Sequence, residues 1–291
     1  MSMSDEVARA MPELRSWIGR SRVVEEDIAL PAVRRIAGML DLDPDGFRQG
    51  SALPPHWFGM FFADVARQSE IGPDGHPRKG AFLPPIPLPR RMGAGRRTRI
   101  HGALQVGDAA RKIIEVAAIE PKQARTGQIV VLTMRQTIEA RGQTLAVDEF
   151  DAVYREAVPP GAKSTVTPPV PAPEGVAWSD AMLLDPVLVF RYSAVTWNSH
   201  RIHYDADYAR DAEGYPATVQ NGGLTMHLIV DAALKRAPGP LRGYTARLRR
   251  PLFVGQTVTL AGAAPKDGKM AAWAAAPDGT LAAEMELEFG A

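Results

Sequence analysis

The sequence predicts an α+β fold built twice over, each half a central helix wrapped by an antiparallel sheet. Three features carry this expectation. Residues 99–108 (RIHGALQVGD) recur 148 positions later as residues 247–256 (RLRRPLFVGQ), where Arg99, Leu104, Val106 and Gly107 meet Arg247, Leu252, Val254 and Gly255. Residues 223–234 (GLTMHLIVDAAL) are apolar almost all round a helical wheel, so that helix has to be buried on most sides. In the last segment Leu281, Ala283, Met285, Leu287 and Phe289 alternate with Ala282, Glu284, Glu286 and Glu288, the two-residue period of a strand with one wet face.

In chain order, the first residues (MSMSDEVARAMPELRSW) carry acids and lack the basic-then-apolar order of a secretory signal, and no 18 apolar residues run uninterrupted. A soluble, cytoplasmic protein is therefore expected. Val33, Ile36, Ala37 and Leu40 mark an amphipathic helix, and HWFGMFFADVA from His56 is predicted to open the first half's central helix. Residues 158–176 (VPPGAKSTVTPPVPAPEGV) hold six prolines, which deny the segment backbone donors and helical geometry. The predicted division is a first half over 1–157, a connector over 158–177 and a second half over 178–291. After Gly255 come QTVTLAG, KMAAWAAA and TLAAEMELEF, separated by the hairpin-turn pairs Asp267-Gly268 and Asp278-Gly279.

Composition narrows the function classes. The 34 basic and 33 acidic side chains nearly cancel, so no global field draws the protein to nucleic acid or to a membrane. The absence of cysteine removes disulfides, thiolate metal sites and a cysteine nucleophile together.

The most informative stretch is residues 190–208, FRYSAVTWNSHRIHYDADY, followed by EGYPATVQNGG leading into the buried helix. It resembles the MaoC-type R-specific enoyl-CoA hydratases, which carry an acid, four residues and a histidine, then a His-Gly step that opens the central helix. Here Asn198 stands at the acid position, His203 at the histidine, and Asn221-Gly222 at the His-Gly step. With these departures the motif is similar to a subgroup that includes mitochondrial-type 3-hydroxyacyl dehydratases and mesaconyl-C4-CoA hydratases. Residues 82–92 (FLPPIPLPRRM) resemble a second signature of the same subgroup. The resemblance implies a double hot dog fold and a hydro-lyase acting on a coenzyme A thioester, with a short branched C5 dicarboxyl unit as the acyl group. Itaconyl-CoA and plain 3-hydroxyacyl thioesters are the other substrates it leaves open.

Hydration of a double bond conjugated to a thioester needs a water near C3 that can lose a proton, a transfer suited to histidine because its pKa lies near the working pH. His203 is assigned that acid/base role. Asn198 cannot take the proton as a carboxylate would, but its amide can accept one hydrogen bond and donate another, aiming the water. As water adds, negative charge builds on the thioester oxygen. The N–H groups at a helix start are preorganised donors for it, and Gly222, 19 residues after His203, permits close approach with Asn221 beside it.

Between Asp74 and Asp108 there is no acid, yet Arg90, Arg91, Arg96 and Arg97 crowd the interval. A run of charge is usually a solvated face. These arginines also suit the 3′-phosphate and pyrophosphate of coenzyme A, and are taken as substrate-binding. Arg201, beside His203, is the candidate cation for a substrate carboxylate, the alternative being that it anchors its loop. His200 and His227 read as structural, with His227 and Asp231 spaced to bond each other. Tyr204, Asp205, Tyr208 and Tyr215 receive no role.

The first half has no Asn-x4-His or Asp-x4-His pattern near its early helix, so one active site per chain is expected, with the first half shaping the pocket. No metal or cofactor is expected, coenzyme A entering as part of the substrate. Neither nucleic acid nor membrane is an expected partner, and a homodimer is compatible with this reading. The competing classes are a hot dog thioesterase, which more often uses a carboxylate to activate water, and a non-catalytic acyl-CoA-binding subunit.

Overall fold

Strand pairing at the middle of the molecule explains the repeat. The computed structural model describes residues 3–79, 82–124, 127–157 and 168–290. Its elements run α1 (Met3–Arg15), β1 (Ser21–Asp27), α2 (Leu30–Met39), β2 (Arg90–Ile100), β3 (Ala109–Ala124), β4 (Gly127–Ala140) and β5 (Gln143–Arg155). The second half follows with β6 (Trp178–Leu183), α3 (Pro186–Val195), α4 (Ala206–Asp211), α5 (Gly222–Leu234), β7 (Leu241–Leu248), β8 (Thr257–Gly262), β9 (Lys269–Ala275) and β10 (Leu281–Phe289). The described strands form one ten-stranded antiparallel sheet in the order β1-β3-β4-β5-β2-β7-β10-β9-β8-β6.

Each half contributes the same succession, and the halves join edge to edge at β2 and β7. There Arg97 faces Thr245, while Arg99 faces Gly243 and Gly95 faces Arg247. A shift of 148 positions carries Arg97 onto Thr245 and exchanges the two flanking pairs. A pseudo-twofold axis therefore passes between Arg97 and Thr245. The repeated Leu-x-Val-Gly ends in both halves with a glycine in the left-handed region, Gly107 at φ 94° and Gly255 at φ 87°, a conformation glycine takes without steric cost.

In the second half α5 is the central helix. Residues from Leu224 to Ala233 are buried, nearly without a break, against β7, β8, β9 and β10. The first half departs from the expectation. His56 precedes only a single 3-10 turn, Trp57–Met60, after which Phe61 is extended and Phe62 takes a left-handed φ of 63°. The aromatic residues that suggested a helix (Trp57, Phe58, Phe61 and Phe62) are buried as a loop packed on the main core. A sheet's apolar face must still be covered. That role falls partly to α1, whose Val7, Met11 and Leu14 join Ile86, Leu88, Val116, Val130 and Leu132 in a separate cluster. The rest of the first half's inner face lines a cavity.

The early amphipathic helix is present as α2, with Val33, Ile36 and Ala37 buried and Pro31 in its first turn. Of the proline-rich connector, residues 158–167 lie outside the described residues. Its last part is tied to the β9–β10 turn, where Pro171 bridges Thr280 and Ala172 N–H donates to Gly279 O at 2.9 Å.

Candidate active site

The motif from Phe190 to Tyr208 begins in α3 and leaves it at Thr196. Trp197 then takes a left-handed φ of 53°, and Asn198 N–H returns to Ser193 O at 2.8 Å, turning the chain over the start of α5. A 3-10 turn holds Arg201 to His203, after which Asp205 caps α4 by accepting Tyr208 N–H at 2.9 Å.

A cavity of about 1000 Å³ lies between this segment and the first half's sheet. Asn198, His203, Asn221 and Gly222 all line it, so the structure brings together the four residues singled out from the motif. His203 Nδ1 lies 2.8 Å from Val219 O. A carbonyl only accepts, so Nδ1 carries the hydrogen and Nε2 is left with its lone pair. Burial pushes the His203 pKa down to about 4, holding the ring neutral at ordinary pH. Asn198 Oδ1 accepts His200 N–H at 3.0 Å, which fixes the side chain and spends one lone pair that the sequence reading had reserved for water.

The start of α5 receives no side-chain cap, because Asn221 turns instead to Ser193, its Nδ2 donating to Ser193 Oγ at 3.3 Å. Gly222 and Gly223 thus present first-turn N–H groups at the cavity wall. A Cβ on Gly223 would stand 2.5 Å from Tyr192 Oη, and one on Gly222 would stand 2.5 Å from Leu248 Cδ1, so larger residues would crowd this corner.

Side-chain alternation along β2, reset by a bulge between Gly93 and Gly95, divides the arginines. Arg91 and Arg96 line the cavity. Arg96 is half-buried, with Nε 3.6 Å from Asp148 Oδ1, and the pull of Asp148 and of Tyr244 outweighs the desolvation that opposes its charge. Arg97 points to the outer face, where it forks onto Asp151 at 2.7 and 3.1 Å and meets Glu149 at 3.1 Å. Arg90 is turned to Glu213, 3.3 Å away. Arg201 lies outside the cavity lining. It pairs with Asp205 at 2.7 Å, packs over the Tyr208 ring and donates to Pro73 O at 3.1 Å. It anchors its loop, and the cavity's cations are found elsewhere. One is Lys112, which donates to Phe62 O at 3.0 Å and is pushed down to about 8 by burial and by Arg96 and Arg22.

His227 and Asp231 do not bond each other. His227 Nδ1 is 3.0 Å from Tyr192 Oη and its Nε2 is 3.3 Å from His56 O, while Asp231 lies 2.9 Å from His56 Nε2. His200, read as structural, lines the cavity between two other imidazoles, its ring 4.1 Å from that of His76 and 5.4 Å from that of His203.

The sequence reading missed His76 and Asp74. His76 Nδ1 lies 3.0 Å from Asp74 Oδ2, and His76 N–H donates to Asp74 Oδ1 at the same distance. Burial opposes ionisation of Asp74, but the His76 hydrogen bonds prevail and hold its pKa well below the usual carboxylate range. Ligand atoms of Asp74, His76 and His200 come within 4.8 Å of one another. Two imidazoles and a carboxylate are a donor set that suits zinc. Against a metal centre, the carboxylate is already bonded to His76, and the His76 and His200 rings pack against each other at an angle of 41°.

An uncapped helix start and a neutral histidine thus line one cavity, in a fold whose two halves join edge to edge in a single antiparallel sheet. Comparison with known proteins identifies the class. The family model described as hydroxyacyl-thioester dehydratase type 2 matches residues 56–254, and the chain belongs to that family. It is similar to a mesaconyl-C(4)-CoA hydratase of Chloroflexus aurantiacus, 38% identical over 94% of this chain and 97% of the relative. In fold it is similar to the crystal structure of a MaoC-like dehydratase from Phytophthora capsici, with TM-score 0.71 and 14% identity over 94% of this chain and 96% of that one. A Mycobacterium tuberculosis protein with a double hot dog fold has TM-score 0.60 and 15% identity, covering 93% and 95% of the two chains.

Proposed function

We propose that the chain adds water reversibly to mesaconyl-C4-CoA, in the cytoplasm, as a one-site enzyme whose acid–base group, His203, lies in the second half. The observation that carries the reading is the His203 contact to Val219 O, which leaves a neutral Nε2 in the cavity that also holds Asn198 and the uncapped start of α5. In hydration, His203 Nε2 takes a proton from water as its oxygen bonds the carbon β to the thioester. The electron pair of the double bond moves toward the thioester oxygen, which receives the N–H groups of Gly222 and Gly223. The α carbon then takes a proton back from His203. A donor of this kind is worth about 3 kcal/mol in the transition state. Water addition is redox-neutral and the acid–base group is the chain's own, so coenzyme A enters as substrate.

The likeness to the Chloroflexus hydratase over nearly the whole of both chains supports the acyl group. Incubation with crotonyl-, mesaconyl-C4- and itaconyl-CoA tests it. A hydroxyacyl-CoA formed fastest from mesaconyl-C4-CoA is the expected result. Free coenzyme A would mark a thioesterase, and binding without turnover a non-catalytic acyl-CoA-binding subunit.

Anionic substrate groups need cations, and their place in the cavity lining supports Arg91 and Arg96 in that role over Arg97 and Arg201, which lie outside it. A hydrogen bond to a charged group contributes about 1.5–3 kcal/mol, so Arg91→Ala is expected to raise KM by roughly 10-fold to 100-fold with a smaller change in kcat. Arg97→Ala, on the outer face, is expected to leave both within about twofold, as surface ion pairs contribute about 0–1 kcal/mol. Steady-state kinetics on the two variants checks the division, and equal KM effects would refute it.

A further inference from the structure

Water addition requires control of both hydrogens of the reacting water, because one is transferred while the other fixes the direction of attack. His203 Nε2 receives the first. Asn198 Oδ1 already accepts His200 N–H, and the Oε1 of Gln220 is closed off inside the wall without a partner among the described residues. His200 has no hydrogen bond to its ring among the described residues, so nothing fixes which of its nitrogens accepts.

His76 is different. Its Nδ1 hydrogen is directed to Asp74, which leaves Nε2 as an acceptor, and the ring lines the same cavity as His203 and Asn198. The loop that carries it is stitched to the segment of His203 by three hydrogen bonds to its backbone carbonyls. Arg201 N–H donates to Asp74 O at 2.9 Å, Ser199 Oγ donates to Gly75 O at 2.5 Å, and Arg201 Nη1 reaches Pro73 O. Gly75 sits at φ 89°, and a Cβ there would stand 1.9 Å from Ser199 O, so the approach requires glycine. The two halves thus meet at atomic contact where His76 enters the site.

We propose that His76, oriented by Asp74, is a second catalytic residue whose Nε2 accepts the non-transferred hydrogen of the reacting water, making the active site a composite of both halves. This rests on the hydratase reading above. The oxygen–hydrogen bond that breaks gives its proton to His203, the oxygen–carbon bond forms, and the α carbon recovers the proton from His203. His76 ends in the state in which it began. The Asp74 carboxylate makes the imidazole a stronger acceptor by taking its other hydrogen, as carboxylates do behind catalytic and metal-bound histidines.

The test is a double-mutant cycle between His76→Gln and Asn198→Asp, run on whichever of the three acyl-CoA thioesters the parent hydrates fastest. His76→Gln is expected to lower kcat by roughly 10-fold to 100-fold with KM within about threefold, the pattern of an interaction made in the transition state. Aspartate at position 198 offers a carboxylate acceptor to the same water, so the double variant is expected to recover at least about tenfold over His76→Gln alone. Asp74→Asn keeps an acceptor for His76 without the charge and is expected to cost about tenfold in kcat, which reads the same question should His76→Gln fail to fold. Chelator treatment and added zinc are expected to leave the parent's rate as it was.

Parental kcat in His76→Gln and in Asp74→Asn overturns the proposal, as does a double variant no better than His76→Gln, since a structural support is not rescued by a new carboxylate. A metal requirement also overturns it. If the parent releases free coenzyme A and forms no hydroxyacyl product, the functional reading falls and the proposal falls with it.

Discussion

Replacing His203 by alanine is expected to lower kcat for hydration by about 100-fold or more, the usual contribution of a positioned acid–base group. The loss should appear in kcat and kcat/KM alike, because in the proposed mechanism the imidazole meets the substrate's reacting atoms rather than its phosphates. The pH profile sharpens the test. A base with a pKa near 4 stays neutral through the mildly acid range, so the parent's kcat/KM should be nearly level between pH 7.5 and pH 5.5. An ordinary histidine with a pKa of 6.5 would lose about tenfold over that interval. Stopped assays that separate hydroxyacyl-CoA from free coenzyme A give both readings. Near-parental hydration by His203→Ala would refute the mechanism, and a tenfold acid fall in the parent would refute the neutral, carbonyl-held imidazole.

The second half was legible because its sequence and structure agree at every scale. Uniform apolarity gave α5 and alternation gave β10, and the repeat pointed to two related halves, whose joining at β2 and β7 only the structure reveals. The first half misled because its aromatic run from Trp57 to Phe62 is as apolar as a buried helix, while nothing local reveals that the segment packs as a loop. Helical propensity is a weak prior that tertiary packing overrides. The site followed the same division. Asn198, His203 and Gly222 sit in one continuous motif and could be read together. Asp74 and His76 lie more than a hundred positions upstream, and only an Asp-Gly turn flanked by a histidine marks them. Among the arginines, charge clustering showed that a basic stretch existed but not which side chains turn inward. Strand alternation settles that, and it sends Arg96 and Arg97 to opposite faces.

Acid should destabilise the fold well before its carboxylates titrate, because several histidines are buried in the neutral form. Burial lowers His227 to about 3, with His56 adding to the effect, and lowers His200 to about 2, with His76 and His203 adding to it. His227 is matched to neutrality by its two contacts: Nε2–H directed to the His56 carbonyl leaves Nδ1 to accept from Tyr192 Oη. In the unfolded chain both rings bind a proton below about pH 6.5, whereas the folded state refuses it until far lower pH. The unfolded state therefore binds more protons through this window, and the stability present above pH 6.5 is lost as pH falls. At about 1.4 kcal/mol per pH unit, each ring costs about 2 kcal/mol at pH 5, and the pair about 4 kcal/mol of a typical total of about 5–15 kcal/mol. Urea midpoints measured from pH 8 to pH 4.5 should be level above pH 7 and fall steeply below pH 6.5. His227→Gln, which cannot take up the proton, is expected to be less stable at pH 8 but to show a shallower fall by about one proton's worth of slope. Equal slopes in the parent and in His227→Gln would show that His227 titrates in the folded protein as it does in the unfolded one.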